Sequence, residues 1–100
     1  MIDFTNSENN LNCLFKGRMG ADNVEMIAKQ IQEKIDEFKS DNLIVNFNLQ
    51  DVSYIASSFI RICVVTAKQL PDGNFTISNT NPMIKKVFKI AGLDKILNVS

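Results

Sequence analysis

Hydrophobic positions run along the chain in two rhythms. Ile2 and Phe4, and later Leu11, Cys13 and Phe15, alternate with other residues, which is the period of a strand with one buried face. Between them, Ser7-Glu8-Asn9-Asn10 carries turn chemistry, because Asn tolerates left-handed backbone and bonds its own main chain. Gly17 and Gly20 break the alternation. From Val24 the spacing changes: Val24, Ile27, Ala28, Ile31, Ile35 and Phe38 follow the 3.6-residue period of a helix, and charged and amide side chains fill the opposite face. Asp22 or Asn23 is placed to cap that helix, with Glu25 favourable in its first turn.

Leu43–Leu49 is the clearest strand, and its apolar start predicts a central, mostly buried position. Val52, Tyr54 and Ile55 follow. Phe59–Leu70 is a helix apolar on nearly every side, with Arg61, Thr66, Lys68 and Gln69 as its polar positions. Such a helix is deeply buried or shows an apolar strip to a partner. Pro71–Asn74 is a turn and Phe75–Ser78 a short strand. Asn81-Pro82 starts a helix, with Asn as cap and Pro at the first helical position. Ile84, Val87, Phe88 and Ala91 form its apolar face, and Lys85, Lys86 and Lys89 its wet face. Gly92 ends it, and Asp94–Leu97 adds one more helical turn. The order β-β-α-β-α-β-α-α predicts an α/β fold. Its mixed, mostly parallel four-stranded sheet has helices packed on one face, in one domain spanning residues 1–100.

Composition removes several function classes. Eleven basic and eleven acidic side chains leave zero formal charge, which argues against nucleic acid, whose binding needs clustered cations. There is no histidine, so Ser-His-Asp catalysis and His-ligated zinc are excluded. Cys13 and Cys63 lie in apolar runs without C-x-x-C spacing and read as small buried hydrophobes; neither a metal nor another cofactor is implied. The first ten residues lack the basic and apolar regions of a signal peptide, and no run approaches the ~20 apolar residues of a membrane span. A cytoplasmic protein with no membrane partner is expected.

One segment stands out chemically. Ala56-Ser57-Ser58-Phe59 joins a strand to the apolar helix. One hydroxyl there can cap the helix while the other faces solvent, where the positive helix end tolerates a phosphate. Arg61 follows Ser57 by one turn and can pair with such a group. A plain serine cap is the simpler reading. Catalysis by Ser57 lacks a base: Lys68 lies about 16 Å along the helix axis.

Taken together, Val52-Ser53-Tyr54-Ile55-Ala56-Ser57-Ser58, the apolar helix, Asn79–Pro82 and Val87-Phe88-Lys89-Ile90-Ala91-Gly92-Leu93 resemble the STAS domain of bacterial anti-sigma-factor antagonists. The resemblance covers essentially the whole chain. It implies a non-enzymatic regulator that binds an anti-sigma factor, itself a serine kinase of the ATPase type, until phosphorylation releases it. A metal-dependent serine phosphatase resets the cycle. By position the phosphoacceptor is Ser57, with Ser58 as second choice. Arg18, Met19, Ala56, Ser58, Phe59, Arg61 and Ile62 are the expected partner-binding residues. The family's Asp-Ser-Ser-Gly loop reads Ala56-Ser57-Ser58-Phe59 here, and its Gly-Glu-Leu-Asp reads Gly17-Arg18-Met19-Gly20. These departures leave two readings: a switch whose kinase contact has been rewritten, or a constitutive scaffold or assembly subunit that needs no phosphate.

Overall fold

The computed structural model describes residues 2–100. Strands β1 (Ile2–Ser7) and β2 (Asn10–Met19) are followed by α1 (Val24–Phe38), β3 (Ile44–Ile55), α2 (Ser57–Lys68), β4 (Phe75–Ser78) and α3 (Pro82–Ile90). The four-stranded sheet runs β1-β2-β3-β4; β1 is antiparallel to β2, and the other two pairings are parallel. The fold is α/β with a mixed sheet and three helices.

Strand alternation puts the core on one side of the sheet. Leu11 pairs with Val45 and Val45 with Phe75; Cys13 pairs with Phe47 and Phe47 with Ile77. All six are buried. Against these rows lie Ile27, Ile31 and Ile35 of α1, Phe59, Ile62 and Cys63 of α2, and Ile84 and Phe88 of α3. Phe47 meets Phe15 and Phe75 edge to face at 4.8 and 4.9 Å, and Phe59 closes on Phe15 at 5.2 Å. The opposite face is polar: Thr76 Oγ1 donates to Asn46 Oδ1 (2.7 Å) and Asn46 Nδ2 to Ser78 Oγ (3.1 Å). β3 is therefore central, as predicted, but only one of its faces is buried.

The end of α3 follows its sequence signals closely. Asn81 Oδ1 accepts from the Ile84 amide at 2.8 Å. At the other end Gly92 takes φ +74°, while Leu93 N–H donates to Phe88 O and Gly92 N–H to Lys89 O, the paired bonds of a Schellman cap. The fourth helix does not form. Asp94–Leu97 is a series of turns, because one isolated turn cannot offset helix nucleation. Instead Leu97 is fully buried, Asn98 turns through left-handed backbone, and Val99 pairs parallel with Ile77. That bridge covers the outer edge of β4. In the first hairpin, Glu8 rather than an asparagine takes the left-handed position (φ 56°).

Both strands leading to the Ser57 segment are longer than their patterns suggest. β2 continues through Gly17 to Met19, and β3 through Gln50 and Asp51 to Ile55. Leu14 pairs with Asn48 but Lys16 with Asp51, and Gly17 with Val52 but Arg18 with Tyr54. β3 thus carries an extra residue at each of two bulges. Gly17, at φ +93°, supplies the backbone freedom the second bulge requires. Bulges hide strands from a period-two reading, since each one flips the buried parity.

Candidate functional site

Three segments converge where β2 and β3 end. Met19 and Ile55 are paired, and the Ala56 amide donates to Met19 O at 2.8 Å, so the Gly17–Gly20 and Ala56–Ser58 segments are stitched together. Asn23, just before α1, ties in the third. Its Nδ2 donates to Arg18 O at 3.1 Å and its amide to Gly20 O at 3.2 Å. Asn23 occupies the cap position of α1 but makes no side-chain cap bond: its Nδ2 is turned to Arg18 O, and its Oδ1 is buried without a partner among the described residues.

Neither serine caps α2. Ala56 is the cap residue, and Ser57 and Ser58 are the first two helical residues. Ser57 is exposed on the rim. Ser58 turns inward, where its Oγ is buried without a hydrogen-bond partner among the described residues. The division of labour between the two hydroxyls is real but differs from the expected one: one faces water, and the other faces a groove.

That groove, about 320 Å³, lies between α1 and α2 and is lined by Val24, Ala28, Ser58, Arg61, Ile62 and Val65 among others. At its far end Gln32 and Gln69 exchange reciprocal side-chain hydrogen bonds, both 2.9 Å, which pin α1 to α2. Arg61 is exposed at the mouth, one turn beyond Ser57. Arg18 is exposed on the neighbouring strand end, its guanidinium 4.6 Å from the centre of the Tyr54 ring. Neither arginine forms an ion pair among the described residues; the pairs found there are Lys16–Asp3 (3.0 Å) and Lys34–Glu37 (3.7 Å). Arg61 thus offers an exposed guanidinium one turn beyond Ser57, and Arg18 a second at the end of β2.

Of the expected contact residues, Ser58, Arg61 and Ile62 line the groove, Ile62 from its buried floor; Ala56 precedes Ser57 as the cap of α2, and Arg18 is exposed beside Tyr54 at the end of β2. Met19 and Phe59 do not reach the surface. Both are 0% exposed, so no partner touches them unless the loop unfolds; they brace the site from beneath. Phe59, where the family's loop has glycine, points into the aromatic core because α2 presents that position to the sheet. Two residues that the sequence assigns only to an element, Tyr54 to a strand and Asn23 to a helix cap, prove to contact Arg18. Tyr54 becomes Arg18's neighbour only through the two bulges, which no local pattern announces.

A profile of the STAS domain family matches residues 2–100. The chain belongs to the STAS domain family. Solved structures resemble it over nearly its whole length at low identity. An anti-sigma factor antagonist from Mycobacterium paratuberculosis superposes with a TM-score of 0.86 at 14% identity, over 99% of this chain and 83% of that one. An anti-sigma-factor antagonist (STAS) domain protein from Planctomyces limnophilus gives 0.85 at 20%, over 99% and 87%. The anti-sigma factor antagonist SpoIIAA in its unphosphorylated form gives 0.82 at 18%, over 100% and 88%. At these identities the likeness to this STAS domain is one of fold. No curated protein sequence matches it. No helix among the described residues is long and apolar enough to cross a membrane.

Proposed function

We propose that this STAS domain is an anti-sigma-factor antagonist that works by partner switching in the cytoplasm, as a binding module rather than an enzyme. Unmodified, it binds a kinase-type anti-sigma factor through Arg18, Ala56, Ser58, Arg61 and the edge of Ile62. Phosphorylation of Ser57 by that partner releases it, and a metal-dependent serine phosphatase restores binding. The observation that supports this reading is the exposed Ser57 at the first position of α2, between Ala56 and Ser58 and one turn before the exposed Arg61. A phosphate there adds about −1.5 to −2 charges to a surface that must otherwise be desolvated flush against its partner. A loss of ~2.7 kcal/mol already weakens binding about a hundredfold.

A second reading is favoured by the substitutions around Ser57. Ala56, Arg18 and Gly20 stand where the resemblance implies Asp, Glu and Asp. A constitutive scaffold or assembly subunit needs none of those carboxylates. Affinity capture from the source cell's lysate separates the two readings, with wild type, Ser57→Ala and Ser57→Asp as baits and mass spectrometry of bait and prey. The switch predicts a kinase-type ATPase on wild type and Ser57→Ala, its loss on Ser57→Asp, and phosphate on Ser57. The same prey on all three baits, with Ser57 unmodified, overturns the switch and leaves the scaffold.

A further inference from the structure

The exposed side of α3 combines protruding apolar side chains with a row of lysines. Met83 and Ile90 are 74% and 76% exposed, more than any other large hydrophobic side chain among the described residues. Around them stand Lys85, Lys86 and Lys89, none in an ion pair among the described residues, and α3 has no acidic residue. At 100° per residue, Met83 and Ile90 share one flank of the exposed face and the three α3 lysines the other.

The complementary surface is on the same molecule. The outward face of α1 carries Glu25, Glu33 and Asp36 against Lys29, with Glu37 beside them paired to Lys34 (3.7 Å) and Met26 protruding among them. The zero net charge conceals this segregation: from Arg61 onward the chain holds six of its eleven bases and only two of its eleven acids. We propose that the α3 face of one copy docks on the α1 face of a second copy, lysines against carboxylates with the apolar tips between them. The two faces are different patches, so the contact is heterologous and leaves one of each free at the ends, extending head to tail. A nine-residue helix spans only about 14 Å. The contact is therefore smaller than a standard interface, and the association is weak and salt-sensitive. It makes no use of Ser57 and stands independently of the partner-switching reading.

Sedimentation velocity on the full chain tests it over a broad concentration range, at ionic strengths on either side of ~0.1 M, where the screening length is about 10 Å. At low salt the wild-type sedimentation coefficient is expected to rise with concentration, and at high salt to return to the monomer value. A Lys85→Gln/Lys86→Gln/Lys89→Gln variant and a Glu33→Gln/Asp36→Asn/Glu37→Gln variant should each remain monomeric. Mixed together they should form a one-to-one pair and nothing larger, since each retains one intact face. A wild type that is monomeric throughout, or association that survives both variants, overturns the proposal. So does a protein that stays monomeric yet co-sediments with phosphatidylglycerol vesicles, which would assign the α3 face to a lipid surface.

Discussion

Arg18 and Tyr54 face each other across the β2–β3 pairing, the guanidinium stacked 4.6 Å from the ring centre with both side chains open to solvent. The ring holds the cation in place without neutralising it, so Arg18 is presented as a positioned charge at the end of β2, opposite the strand that leads into Ser57. An exposed cation–π contact contributes about 0.5–1 kcal/mol. Tyr54→Leu keeps the apolar bulk and removes the ring's negative face. Affinity for the captured partner should drop roughly 2–5-fold, with the melting temperature almost unchanged. Equal affinities in a calorimetric titration would take Arg18 out of the interface.

Phe59 lies beneath that surface, completely buried and edge-on to Phe15 at 5.2 Å. Phe59→Ala removes a ring from the middle of the aromatic cluster and should cost about 3–5 kcal/mol. Urea unfolding measures this directly. A loss below ~1 kcal/mol would mean the site collapses around the cavity, and that the ring is not what supports Ser57.

The cap of α3 is a separate and smaller contribution. Asn81→Ala leaves the Ile84 amide without its 2.8 Å acceptor, and about 1 kcal/mol of stability should go with it. Asn81→Asp should retain most of the stability, because a carboxylate accepts the same bond. If both variants melt like wild type, Pro82 and the Schellman end suffice to fix the helix.

What was readable in the sequence divides along these same residues. Asn81-Pro82 and Gly92-Leu93 act within one helical turn, so their roles follow from local chemistry, and the structure bears them out. The core rows were legible because strand and helix periods sort Leu11, Cys13, Phe47 and Ile31 inward. The Ser57 neighbourhood was found by residue type, but its geometry was not. Two bulges decide that Tyr54 meets Arg18, and the choice of Ala56 over Ser57 as cap turns Ser58 inward. Of the two cap candidates Asp22 and Asn23, Asn23 takes the position, but its side chain bonds Arg18 O, a contact between segments that no local period encodes. Met19 and Phe59 lie beside the site in sequence but beneath it in space.

The cysteines make an alkaline prediction. Burial pushes the Cys13 thiol up to about 12 and raises Cys63 as well. Unfolded thiols ionise near pH 8.5. Above that pH the unfolded chain releases protons that the folded chain retains, so the thiols favour unfolding progressively as pH rises. Each contributes a slope of up to about 1.4 kcal/mol per pH unit. Urea midpoints should be insensitive to these groups below about pH 8.5 and decline between about pH 9 and 10.5. A Cys13→Ala/Cys63→Ala variant, less stable overall, should decline less steeply. Parallel slopes would show that the thiols are not the groups responsible.

Ser58 should separate stability from binding. Its Oγ is buried at the edge of the α1–α2 groove with no partner among the described residues, and leaving a buried polar group unpaired costs about 1–3 kcal/mol. Alanine fits the same space without the hydroxyl and is the better helix former. Ser58→Ala should therefore raise the unfolding free energy by roughly 1 kcal/mol. If the hydroxyl is kept to meet a group the partner inserts into the groove, the same variant should bind several-fold more weakly, although Ser57 is untouched. A protein that is both more stable and equally good at binding would show that Ser58 faces empty space in the complex too. The groove would then lie outside the interface, and the contact would be confined to the rim formed by Arg18, Ser57 and Arg61.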